Sequence, residues 1–249
     1  MGYSSREISG PFPMSKPLEN RIVLVTGASR GIGRAAAIAL AGAGAHVILI
    51  ARTVGGLEEV DDEIQKNGGS ATLVPMDLRD FDAIDRLGAS IYERWGRLDG
   101  LLGNAGVLGV LTPLPHLEPK TWQEVMDVNV TANWRLIRSL DPLLRMSDAA
   151  RVLFVTSGAA RKHIPYWGVY AMSKSALEIV ALTYAAECEQ TPIRVNLINP
   201  GPMRTLMRQK AMPGEDPAYL VKPEEMAFKV VEMLSPSWDR NETIINFQK

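Results

Sequence analysis

Tyr170 and Lys174 stand four residues apart, so on a helix they occupy one face. A free phenol, with a pKa of about 10, is a poor base at neutral pH. A neighbouring ammonium favours the phenolate by Coulomb attraction. Lowering the phenol by two or three pH units takes roughly 3–4 kcal/mol, within reach of a partly buried pair. A Tyr-x3-Lys spacing alone is common on ordinary helices. Ser157 makes it specific, because it ends a β-branched run upstream and its hydroxyl can meet the phenol at one sheet edge. Two hydroxyls and an amine so placed could bind an oxygen that gains or loses charge, with the phenol as general acid or base.

A second constellation is Thr26-Gly27-Ala28-Ser29-Arg30-Gly31-Ile32-Gly33. It follows the first β-branched run and opens an Ala-rich helical stretch. Glycines there permit a tight turn and close approach of the backbone to a pyrophosphate, which the free N–H groups of the helix start can bind. A sharp turn with close helix packing is the plainer alternative; the position between strand and helix favours a dinucleotide. In an NAD site an acidic residue near the end of the second strand takes the ribose 2′-hydroxyl. Here that run ends Leu49-Ile50-Ala51-Arg52-Thr53, with no carboxylate. Arg52 and Arg30 could hold a 2′-phosphate by charge-assisted hydrogen bonds, or be two solvated surface arginines. The missing acid and the added bases agree on NADP(H).

The elements that must position these groups follow from periodicity. Short apolar runs at 22–26, 46–51, 71–76, 98–103, 151–156, 193–198 and, more weakly, 243–247 read as strands covered on both faces. Between them, 32–43, 57–66, 81–95, 121–144, 169–189 and 223–234 carry helical spacing. This alternation predicts an α/β fold, a single-domain Rossmann-type doubly wound parallel sheet of about seven strands with helices on both faces. We assign 18–249 to one catalytic domain and 1–17 to a polar, Pro-punctuated, flexible arm.

Composition narrows the classes further. The chain has 249 residues, 46% hydrophobic and 22% charged, with a formal net charge of -1, so no basic excess points to nucleic acid. No apolar stretch is long enough to span a membrane, and no signal peptide is visible, which leads to a cytoplasmic expectation. A lone cysteine, Cys188, excludes an internal disulfide and a multi-thiolate metal site, and His46 and His116 are too far apart in the chain to suggest a catalytic metal.

The Thr26 to Gly33 turn, Asp77, Asn104-Ala105-Gly106, Asn129, Ser157, Tyr170-x3-Lys174 and Pro200-Gly201, in this order, resemble the short-chain dehydrogenase/reductase family. A narrower resemblance, on Trp167-Gly168-x-Tyr170-Ala171-x-Ser173-Lys174 and Arg204-Thr205-x-Met207-Arg208, is to the YciK-like bacterial oxidoreductases. The family resemblance implies hydride transfer between NADP(H) and a carbonyl or secondary alcohol. Ser157 and Tyr170 would hold the substrate oxygen, and Lys174 would tune Tyr170 and bind the nicotinamide ribose. Asn129 would hold a water linking Lys174 to solvent, or be a buried amide satisfying helix backbone at a kink, or do both. Asp77 and Leu78 would lie along the adenine, although Asp77 also suits the cap of the next helix. Asn104, Ala105 and Gly106 would back the cofactor, and Pro200, Gly201 and Thr205 would hold the carboxamide.

The pocket walls, at 107–111, 159–167 and 205–219, contain Leu108, His163, Tyr166, Trp167, Leu206, Met207 and Met212, so a mainly apolar small-molecule pocket is expected. Arg204 and Arg208 could attract an anionic substrate or stabilise their loop. A non-catalytic NADP(H)-binding regulator or scaffold is the alternative function, and the intact Ser157, Tyr170 and Lys174 set weighs against it. The resemblance also implies a homodimer or homotetramer.

Overall fold

The computed structural model describes residues 16–248. Its seven strands, β1 (Ile22–Thr26), β2 (His46–Ala51), β3 (Ser70–Pro75), β4 (Gly100–Gly103), β5 (Arg151–Val155), β6 (Arg194–Asn199) and β7 (Ile244–Asn246), form one sheet in the order β3-β2-β1-β4-β5-β6-β7. Every neighbouring pair is parallel. All residues of β1, β4 and β5 are buried, which is why these runs are continuously apolar rather than alternating. The strand order reverses between β1 and β4, so the loops leaving their carboxyl ends diverge and leave a crevice.

Helices cover both faces. On one face, Ala36 and Leu40 of α1 (Gly31–Gly42), Leu57 of α2 (Val54–Lys66) and Val230 of α8 (Pro223–Leu234) share a core. On the other, Ile84 of α3 (Phe81–Trp95), Leu136 of α5 (Ala132–Leu144) and Leu177 of α6 (Gly168–Glu187) pack on Phe154 and Leu101. At the amino ends of the strands, buried Asp99 accepts from the Ile22 N–H at 2.9 Å and from the Ser147 hydroxyl at 2.7 Å. That edge is thus closed by polar contacts, and the opposite edge is left for the site.

Residues 1–15 of the expected arm lie outside the described residues. Its last two, Lys16 and Pro17, lead into Leu18, which is fully buried and donates its N–H to the Ala43 carbonyl at 3.0 Å. Two further differences from the sequence reading matter for the site. The stretch 121–144 is not one regular helix: α4 (Pro119–Met126) passes into α5 through a π-helical turn at Asp127–Thr131. A helical hydrophobic stripe continues through such a turn, so the periodicity does not betray it. The loop after β6 also contains a short helix, α7 (Leu206–Ala211), begun by the Thr205 hydroxyl accepting from the Arg208 N–H at 3.2 Å. Among the described residues no helix is long and apolar enough to cross a membrane.

Candidate active site

The turn between β1 and α1 is locked from below. The Thr26 hydroxyl accepts from the N–H groups of Asn104 and Ala105, each at 3.0 Å, and the Asn104 side chain donates to the Thr26 carbonyl at 2.9 Å. Asn104 therefore ties the carboxyl ends of β1 and β4 together, across the crevice where the strand order reverses. Gly27 has φ +67°, a conformation that side chains rarely adopt. A Cβ on Gly33 would stand 2.2 Å from the Gly27 carbonyl oxygen, so only glycine lets α1 start this close to the turn. The first-turn N–H groups of α1 have no partner within the helix, which makes this helix end suited to an anion.

A cleft of about 1950 Å³ opens above the turn, and Ser29, Arg30, Gly31 and Ile32 line it. Every expected site residue reaches its wall except Gly33, under the turn, and Asn129, behind Lys174. Arg52 follows β2 on the same wall. Neither Arg30 nor Arg52 makes an ion pair among the described residues, so both guanidinium groups are available to a ligand. Asp77 is already engaged: Arg79 donates to its carboxylate from Nη2 at 2.6 Å and from its backbone N–H at 3.0 Å. The Arg79 side-chain bond holds the Asp77 carboxyl below its ordinary value. Asp77 is not the cap of α3; Asp80 is, accepting from the Ala83 N–H at 3.0 Å, because the chain makes one more turn before the helix begins. Leu78 is buried beside it.

The reacting groups gather at the cleft floor. Ser157 leaves β5 and its hydroxyl accepts from the Ala159 N–H at 3.2 Å, which holds the side chain at the strand end. Tyr170 and Lys174, on the first turns of α6, are 7% and 3% exposed. The Lys174 ammonium donates to the Val155 carbonyl at 2.8 Å and lies 6.0 Å from the centre of the Tyr170 ring. Burial pushes the Tyr170 phenol up, and the neighbouring Ser157 hydroxyl opposes this in part. Burial thus sets the direction of the phenol's shift, opposite to the lowering expected from the Tyr-x3-Lys spacing. Burial also pulls Lys174 down to about 8, with the Glu178 carboxylate acting against it.

Asn129 sits in the π-helical turn and is fully buried. Its side chain accepts from the Val107 N–H at 2.8 Å and donates to the Val107 carbonyl and the Ser173 hydroxyl, both at 2.9 Å. Asn129 thus stands at the kink, but its side chain bonds to the 107–111 loop and to Ser173 rather than to helix backbone. These bonds pin the 107–111 wall to α6 behind Lys174.

The mouth is built differently. Leu108, Trp167, Leu206, Met207 and Met212 line it, while the exposed His163 and Tyr166 do not reach the wall. Arg208 is held by Glu215, with Nε–Oε2 2.5 Å, and Arg204 donates to the Pro217 carbonyl at 2.8 Å. Both arginines brace their loop, which leaves less of their charge for a substrate. Arg161 belongs to the expected 159–167 wall, whereas Glu178 and Gln248 are among the wall residues that sequence reasoning missed. Gln248 donates from its amide to the carbonyls of Pro200 and Pro202, both at 2.8 Å, and so stiffens the Pro200-Gly201 turn from outside. No pattern in the sequence signals a partner 46 or 48 residues away.

The model of the short chain dehydrogenase family matches residues 21–216. The oxidoreductase YciK of Escherichia coli is 42% identical over 217 residues, 86% of each chain. Among solved structures, a short chain dehydrogenase of Shigella flexneri complexed with NADP superposes with a TM-score of 0.89 at 38% identity, covering 93% of this chain and 98% of that one. One from Escherichia coli complexed with NADPH gives 0.89 and 38%, over 94% and 99%. A likeness that runs from the first strand beyond the Thr205 turn is too long to reflect one shared motif: the chain is an oxidoreductase of the short chain dehydrogenase family.

Proposed function

We propose that this oxidoreductase is an NADPH-dependent carbonyl reductase, reversible as an alcohol dehydrogenase, with Tyr170 as general acid and base. The observation that carries the reading is the meeting of Ser157, Tyr170 and Lys174 on the floor of a cleft whose far end offers Arg30 and Arg52 and no carboxylate after β2. The NADP and NADPH complexes of the two solved relatives support the cofactor.

The residues fit that cofactor. The α1 N-terminus and the close backbone of Gly27 and Gly31 suit a pyrophosphate, Arg30 and Arg52 a 2′-phosphate, and Leu78 with Ala105 and Gly106 an aromatic base or ring. Pro200, Gly201 and Thr205 would hold the carboxamide, and Lys174 the ribose. When bound, NADPH supplies the hydride.

The chain's own part is acid catalysis. Ser157 donates a hydrogen bond to the substrate oxygen, and Tyr170 donates its proton as that oxygen gains charge. A phenol raised by burial stays protonated through neutral pH, the state that reduction requires. Lys174 then stabilises the phenolate left behind.

A panel of aldehydes and ketones, assayed with NADPH and NADH, tests the reading. The expected outcome is NADPH oxidation with a preference over NADH of at least tenfold in KM. In Tyr170→Phe, turnover falls by about a thousandfold or more while NADPH affinity stays within about threefold. A Phe variant with near-normal kcat defeats the assignment. The proposal includes a cytoplasmic homodimer or homotetramer, supported by exposed Trp134 on α5 and Ile179 on α6; light scattering that finds only monomer removes that part.

A further inference from the structure

Glu178 is a buried carboxylate that the acid-base scheme does not use. It is 8% exposed, one helical turn beyond Lys174 on α6, and it shares the cleft wall with Lys174 and Tyr170. Its two oxygens are held from two other elements. The Thr156 hydroxyl, at the end of β5, donates to Oε1 at 2.7 Å. Arg161, in the 3-10 turn Gly158–Arg161, donates from Nε to Oε2 at 3.1 Å and from Nη2 to Oε1 at 3.3 Å. The carboxylate therefore has one fixed position, and its own cation is the half-exposed Arg161 at the cleft wall.

The surroundings of Lys174 make that position consequential. From β5 it meets the Val155 carbonyl, and behind it stand Gly106 and the Asn129 amide, whose polar atoms are bonded to Val107 and Ser173. On its own helix are Tyr170 and Ser173, and the Ser173 hydroxyl donates to the Tyr170 carbonyl at 2.8 Å. None of these groups carries a formal charge at neutral pH. The charges on this side of the cleft floor are Glu178 and, through it, Arg161.

We propose that Glu178 is a positioning residue that keeps Lys174 in its ammonium form, and that Arg161 tempers it from the cleft wall. The claim rests on the reading given above, because the charge on Lys174 matters to turnover only if Tyr170 is the acid. The physical argument is electrostatic. An ammonium removed from water is disfavoured, and here burial alone draws it toward neutrality. A carboxylate one turn away opposes this in a medium that screens poorly. Arg161 neutralises part of that carboxylate, so its ion pair weakens the field at Lys174. Whichever member of the Tyr170 and Lys174 pair loses the first proton, a neighbouring negative charge makes the loss harder, so the sign does not depend on the assignment.

Two substitutions give opposite signs. The Lys174 side-chain nitrogen is titrated by NMR in protein carrying isotope-labelled lysine, and the basic limb of kcat for carbonyl reduction is followed against pH. In Glu178→Gln both midpoints move to lower pH by about one unit. In Arg161→Met both move to higher pH by a few tenths of a unit, the charge remaining on Glu178. Glu178→Asp, which keeps the charge, returns the midpoint toward that of the unaltered protein. A Glu178→Gln midpoint that is unchanged or higher overturns the proposal, as does an Arg161→Met midpoint that is unchanged or lower. A role in packing alone would weaken the fold in both variants and move neither midpoint in opposite senses. Should Glu178→Gln not fold, the surface change Arg161→Met decides by its sign. Absence of NADPH-dependent turnover in the unaltered protein would defeat the functional reading, while the lysine titration would still judge Glu178.

Discussion

The nucleotide end of the cleft and its mouth are built on different principles. At the nucleotide end the backbone does the fitting: Gly33 admits the Gly27 carbonyl, and the Thr26 hydroxyl with the Asn104 amide fixes the gap between β1 and β4. At the mouth, side chains do it. Leu206, 56% exposed, and Met212, 39% exposed, stand on a short helix and loop after β6, with their charges tied to one another and to the loop. A backbone-built surface tolerates almost no change and serves one ligand shape. A side-chain-built surface can be altered residue by residue without loss of the fold.

The sharpest way to break this contrast is Gly33→Ala. One added methyl meets the Gly27 carbonyl at 2.2 Å and the Asn104 side-chain amide at 2.5 Å, so the turn backbone and its Asn104 tie must move. We expect a loss of about 3 kcal/mol in stability by denaturant unfolding and at least a hundredfold loss in NADPH affinity. Retention of both would mean that the turn is softer than its packing implies. Lys174→Met probes the floor between the two ends. The gap between its ordinary 10.5 and about 8 in the fold corresponds to roughly 3 kcal/mol of burial cost at pH 7. The lost bond to Val155 returns about 1 kcal/mol of that, so the variant should be more stable by roughly 2 kcal/mol while losing turnover. Because the folded lysine binds its proton more weakly than the unfolded one, its contribution to stability improves as pH rises from about 8 toward 10.5. The variant's advantage should shrink over that window, and a constant advantage in pH-resolved unfolding would contradict the assignment. The smallest effect is expected at the mouth. Leu206→Ala should change stability by less than about 0.5 kcal/mol and leave NADPH affinity intact, while KM for a bulky apolar carbonyl rises about threefold.

The same contrast explains what the sequence disclosed. Strands were legible because β1, β4 and β5 are buried on both faces, and their apolar runs have no other use in a chain of this composition. The glycine turn was legible because its geometry excludes other residues. The order of Ser157, Tyr170 and Lys174 was legible as types and spacing, but the direction of the phenol's shift was not, since it depends on burial that spacing does not report. The π-helical turn at Asn129 escaped because hydrophobic periodicity runs through it. Asp77 was open to reading as a cap because one extra turn separates it from α3, where Asp80 does that work. Glu178 looked like any helix charge, and only the placement of Thr156 and Arg161 against α6 turns it inward.

The bridge from Gln248 to the two proline carbonyls gives the chain's last turns mechanical authority over the carboxamide loop. A purification tag or display fusion appended after residue 248 would pull on that loop, and a fall in measured cofactor affinity could then come from the handle. Leu18, by contrast, leads into the amino end of β1, at the side of the sheet away from the cleft.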